Sequence, residues 1–100
     1  MEPIERLASC AGFDWDAGNG EKNQRKHGVS RAECEEVFFN RPLVVAEDAA
    51  HSRDEARFYA LGHADGGKML FVVFTLRGAL VRVISARPMS RNERKVYGSQ

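Results

Sequence analysis

Cys10 and Cys34 are the only cysteines in the chain, and they stand in neither a CxxC step nor a Cys/His spacing. A disulfide framework and a zinc site are therefore not expected, and Cys34 reads as a small buried side chain. Long apolar runs are also missing. A stretch such as Met69 to Thr75 falls far short of the roughly 20 residues a bilayer requires, and the N-terminus lacks an apolar stretch with a cleavage pattern. A cytoplasmic location without membrane contact is the expectation. There is no Gly-rich phosphate loop, no pair of catalytic carboxylates and no nucleophile motif, which argues against a small-molecule enzyme. Nothing asks for a cofactor or a metal.

What the chain does have is polarised charge. Its net charge is only +1, yet Arg77, Arg82, Arg87, Arg91, Arg94 and Lys95 share the last quarter with one acid, Glu93. The remainder is slightly acidic. A basic surface on a small domain suits phosphates, and hence nucleic acid, and invites a partner that covers it. A solvated helix face is the plainer alternative. With 100 residues, 43% hydrophobic and 29% charged, the chain has the make-up of one ordinary globular unit.

Residues 1–12 show no strong period and read as a loose extension before a single domain over residues 13–100. Phe13-Asp14-Trp15-Asp16 alternates as a short strand with both rings toward a core. Asp16 then caps a helix running to about His27, where Gly28 ends it. That helix is polar almost all round, and Gly18 and Gly20 weaken its first turn by about 1 kcal/mol each relative to alanine. It reads as either a weak bracket or a functional surface. A second helix opens on the capping box Ser30-Arg31-Ala32-Glu33 and presents Cys34, Val37 and Phe38 to a sheet. Four strands follow, Leu43 to Glu47, Ala56 to Gly62, Met69 to Leu76 and Leu80 to Ala86, the last three as an antiparallel meander. A final helix opens on Ser90-Arg91-Asn92-Glu93. The order βααββββα predicts an α+β domain, with two N-terminal helices on one face of a curved antiparallel sheet and a helix at the C-terminus.

With Gly78-Ala79 as a two-residue turn, Arg77 faces Leu80, Thr75 faces Arg82 and Val73 faces Ile84 on a surface turned away from the helices. Leu76, Val81, Phe74, Val83 and Val72 then form the core side. Two guanidiniums projecting from a strand pair make a rigid anion site, although they would equally serve to blunt a sheet face.

The chain resembles the BrnT toxin family in Phe13-Asp14-Trp15-Asp16, Asn23, Lys26-His27-Gly28-Val29, Asp48, His51-Ser52, Glu55, Arg57-Phe58 and Gly62. The likeness continues through Val73-Phe74-Thr75, Arg77-Gly78, Arg82, Ile84-Ser85-Ala86-Arg87, Glu93-Arg94 and Tyr97. It implies a RelE-like ribonuclease toxin of a type II toxin–antitoxin pair that cleaves RNA and inhibits translation. It further implies neutralisation by a BrnA-type antitoxin with a DNA-binding domain, in a heterotetramer that represses its own operon by binding operator DNA. The chain departs from that pattern at Asn19 and Gly20, where related chains often carry a lysine and an asparagine, and a basic contact is expected to be lost there. Pro88 holds Arg87 extended.

RNA cleavage without a metal needs a base for the 2′-hydroxyl, a clamp for the dianionic phosphorane and an acid for the 5′-oxygen. Arg77 and Arg82 are the favoured clamp, joined by Arg57 if the register of its strand allows. His51, Glu55 and His27 are the candidates for proton transfer. Lys26, His27, Arg87, Arg91, Arg94 and Tyr97 are the candidates for holding RNA, Tyr97 by stacking on a base or else by packing into the core. His27 has the alternative of a helix-end contact, Glu55 with Arg57 that of a surface ion pair, and His63 is expected to be exposed.

Overall fold

In a computed structural model of the chain, the described residues are 3–51 and 55–100, with the side chains of Pro3 and His51 outside the description. One sheet in the order β1-β5-β4-β3-β2 organises the fold, built from β1 (Gly12–Phe13), β2 (Val44–Glu47), β3 (Arg57–His63), β4 (Met69–Arg77) and β5 (Leu80–Pro88). β2 to β5 pair antiparallel, and β1 joins the edge of β5 in parallel through Gly12 opposite Leu80 and Phe13 opposite Val81.

The inner face of the sheet holds the core. Phe58, Ala60, Leu70, Val72, Phe74, Val81, Val83 and Ala86 are buried against Val29 and against Cys34 and Val37 of α4 (Arg31–Phe39). Phe74 stacks on Phe58 at 5.5 Å between ring centroids and meets Phe38 edge-on at 5.1 Å, while Phe13 leans on Phe38 at 5.7 Å. Each such side chain contributes about 1.5–3 kcal/mol by leaving water. The Ser30 capping box closes as expected, with Ser30 Oγ accepting from Glu33 N and Ser30 N donating to Glu33 Oε1. Burial pushes the Cys34 thiol up to about 12. A thiol reagent at about pH 8 should therefore label Cys34 only as fast as the protein unfolds, which mass mapping of native and urea-unfolded samples would check.

Three local expectations are corrected. Residues 3–8 are helical (α1, Pro3–Ala8), with Leu7 and Cys10 packed on the core and the Arg6 guanidinium 5.1 Å from the Phe58 ring centroid. The first polar helix is two short ones, α2 (Ala17–Gly20) and α3 (Lys22–His27), broken at Glu21. Gly28 ends α3 in the left-handed region at φ 68°, which a side chain would resist. α5 (Arg91–Gly98) lies on the outer face of the sheet, opposite α4, where Tyr97, Met89 and Leu61 make a second small cluster with Val44 and Phe71.

The third correction is in the register. Arg77 pairs with Leu80, Thr75 with Arg82 and Phe74 with Val83 as expected, but Val73 pairs with Ser85 and Ile84 is an extra residue in β5. This bulge keeps Val83 and Ala86, three residues apart, both on the core side. It also returns Arg87 to the outer face that Arg82 occupies, where strict alternation would have turned it inward.

The free edge of β5 beyond Val81 is completed by side chains from α2 and α3 in place of a strand. Asn19 Nδ2 donates to Val83 O at 2.9 Å, and Ala86 N donates to Asn23 Oδ1 at 3.0 Å. Both asparagines are buried. The polar helix thus has an inner face made of amides. The Arg31 guanidinium lies against Gly20, where a Cβ would be, and its Nε donates to Gly20 O at 3.4 Å.

Candidate nucleic-acid interface

Register sets the site on the outer face. Arg57 pairs with Thr75 and Thr75 with Arg82, so the three lie in one row across β3, β4 and β5, with Cα atoms of the outer two about 10 Å apart. Arg77 stands two residues along β4 from Thr75, on the same face. The condition placed on Arg57 is met. Thr75 is buried beneath these side chains, and its Oγ1 donates to Ala56 O at 2.7 Å.

The arginines differ in what they hold. Arg77 is half exposed (51%), and its Nε donates to Glu55 Oε2 at 3.1 Å. Arg82 is only 17% exposed and is clamped between Asp14 (3.5 Å) and Asp16 (3.0 Å), tying β5 to the segment between β1 and α2. It is less a free surface group than its register implied. The backbone N–H of Asn19, followed by the Arg82 contact, holds the Asp16 carboxyl below the usual range. Arg87 lies over the Phe71 ring at 4.2 Å from its centroid and forms two hydrogen bonds with Glu93, at 2.8 and 2.9 Å.

Hydrogen bonds from Arg87 hold the Glu93 carboxyl below its ordinary value of 4.5. The stabilisation of α5 by this pair is therefore complete above that value and is lost as pH falls through the lowered folded pKa. Both groups are partly exposed, so its size is about 1 kcal/mol or less. The gap in thermal midpoint between wild type and Glu93→Gln should be full near neutrality and close as the pH drops below 4.5.

Other candidates are not brought to this face. Lys26 and His27 are exposed at the end of α3, beside Gly28, whose carbonyl accepts from Lys68 Nζ at 3.1 Å. Lys68 precedes β4 and Arg77 ends it, so strand on the order of 25 Å long lies between them. Arg91 and Arg94 are exposed, but on α5 they sit about 140° and about 160° round the helix from Val96, which faces the sheet hollow. Tyr97 is 7% exposed, donates to Pro42 O at 2.7 Å and shares a 2.8 Å hydrogen bond with His63 Nδ1. Its ring packs in the core and is not available for stacking, and His63 is half-buried and partnered where exposure was expected. The His51 side chain lies outside the described residues. Asn19, thought to mark a lost basic contact, is a buried structural side chain, so its identity removes nothing from the arginine face.

Sequence reading missed Tyr59 and Phe71, stacked at 5.6 Å on this same face. Their signal was alternation: Tyr59 stands two residues from Arg57. A cavity of about 350 Å³ lies elsewhere, between α1 and the end of α4, with mainly apolar walls that include Phe39, 75% exposed. Among the described residues no group of three or more His, Cys, Asp or Glu side chains could hold a metal ion, and no helix is long and apolar enough to cross a membrane.

Residues 15–93 match the family model described as ribonuclease toxin, BrnT, of type II toxin–antitoxin system. Among solved structures, the crystal structure of the Brucella abortus ribonuclease toxin BrnT matches with a TM-score of 0.59 and 25% identity, covering 80% of this chain and 97% of that one. No curated protein sequence matches. Fold and family model agree, and the chain belongs to the BrnT family of ribonuclease toxins from type II toxin–antitoxin systems.

Proposed function

We propose that this chain cleaves RNA on the outer sheet face by acid–base chemistry that needs no metal, with Arg77 and Arg57 holding the reacting phosphate. The observation that carries this reading is the row Arg57–Thr75–Arg82 with Arg77 beside it, a set of planar donors on a rigid strand surface. The 2′-oxygen attacks phosphorus and the bond to the 5′-oxygen breaks, leaving a cyclic phosphate and a 5′-hydroxyl. One group takes the 2′-proton and another delivers a proton to the leaving oxygen. Glu55, 3.1 Å from Arg77, stands beside the clamp as the first candidate for the base, and His51 is the candidate for the acid. Arg82, held by Asp14 and Asp16, positions the row more than it grips the phosphate.

In the cell this activity inhibits translation until a BrnA-like antitoxin binds. Toxin and antitoxin form a heterotetramer that represses the operon through the antitoxin's contact with operator DNA. The setting is the cytoplasm.

The test is incubation of antitoxin-free protein with a defined RNA in EDTA, mapping new ends. Cyclic phosphate and 5′-hydroxyl ends are the expected products. Intact RNA with a folded, toxic protein would discard metal-independent cutting of free RNA.

A further inference from the structure

We propose that the hollow between β3, β4 and α5 is a pocket for one nucleobase of the RNA, next to the phosphate held by the arginines; this rests on the reading of the outer face as an RNA site. Tyr59, Leu61 and Phe71 from the sheet and Asn92, Glu93 and Val96 from α5 enclose a hollow of about 220 Å³. That is below the roughly 300 Å³ at which sites for drug-sized ligands begin, so it suits one ring system.

The walls match a base in both shape and chemistry. Tyr59 and Phe71 are half-buried and stacked on each other with their planes 20° apart, and since Arg87 also covers the Phe71 ring, it is the Tyr59 ring that is left to stack on a base. Such rings hold unpaired bases with little regard to sequence. Asn92 is exposed in the first turn of α5, and its side chain makes no hydrogen bond among the described residues. Its amide offers one acceptor and two donors, which suits the edge of a base. Glu93 is held back from the ligand by its two hydrogen bonds to Arg87.

Position links the hollow to the arginines. Tyr59 is two residues from Arg57 on β3, a step of about 7 Å along one face. Arg87, opposite Phe71 in register, closes the other side with its guanidinium over the ring. Arg57 on β3 and Arg87 on β5 thus flank the hollow, the second of them paired with Glu93 in its wall. That surround favours a phosphate-bearing ligand over the apolar side chain of a protein partner.

The test uses a single-stranded RNA with a 2′-O-methyl group at the cut site, which keeps its bases but cannot react, together with copies abasic at successive positions. Removing the base at one position beside the cut is expected to weaken binding to the wild type about 10-fold. Tyr59→Leu, which keeps bulk but not the ring, should weaken the intact RNA to the same extent and be indifferent to the abasic substitution. Asn92→Ala, at an exposed position, should change base preference at that position alone and keeps the test valid if Tyr59→Leu folds poorly. Wild-type affinity in a folded Tyr59→Leu, with unchanged base preference in Asn92→Ala, would overturn the pocket while cleavage by the wild type upheld the ribonuclease reading. Loss of affinity for antitoxin but not for RNA in Tyr59→Leu would also overturn it, in favour of a protein occupant. A wild type that neither binds nor cuts RNA would remove both readings together.

Discussion

Arg77→Ala is expected to slow RNA cleavage by about 100-fold and to leave the thermal midpoint essentially unchanged. The rate effect is that of removing one preorganised donor from a site where negative charge develops. The unchanged stability follows from exposure, because Arg77 is half in solvent and its ion pair with Glu55 is exposed as well. Arg82→Ala should behave differently. It would leave Asp14 and Asp16 facing each other without the cation between them and β5, so activity and melting temperature should fall together. Single-turnover cleavage and thermal melts on the two variants separate the roles. Full activity in Arg77→Ala would remove it from the clamp, and a large loss of structure would make it a fold residue.

Much of this layout was legible wherever local chemistry agreed with tertiary packing. Both Ser-x-x-Glu boxes began helices, Cys34 and Val37 marked the buried face of α4, and Gly78 fixed the last hairpin through its positive φ of 59°. Alternation then put Arg82 and Thr75 in one row. The bulge was not legible, because Ile84 is as apolar as its neighbours and nothing in a period-two pattern marks an extra residue. Since Arg87 faces outward only because of that bulge, its contact with Phe71 and the adjoining hollow were hidden with it. α1 lacked a period because few of its residues touch the core. The polar helix was misread for a related reason: its inner face carries amides that hydrogen-bond to the backbone, and hydrophobic periodicity is blind to them.

That amide face gives the largest expected change in stability. Asn19 Oδ1 accepts from Asp16 N at 2.8 Å, and Nδ2 donates to Asp14 O at 3.1 Å and to Val83 O at 2.9 Å. Asn19→Ala removes all three, leaving Val83 O unpaired at a buried contact for about 1–3 kcal/mol and losing two part-buried bonds at about 0.5–1.5 kcal/mol each, so a loss of about 3 kcal/mol is expected. For a chain of this size that lowers the melting temperature by on the order of 10–20 °C. Asn23→Ala should cost less. Its Oδ1 accepts from Ala86 N, but its Nδ2 is buried with no partner among the described residues, so truncation also relieves an unpaired group. The ranking of the two melting temperatures is thus a sharper test than either value. Because Asn19 also holds the Asp14–Asp16 segment that grips Arg82, its loss should slow cleavage even where the variant is fully folded. If Asn19→Ala melted at or above Asn23→Ala, the edge of β5 would be secured by packing, and the asparagine ladder would be incidental to it.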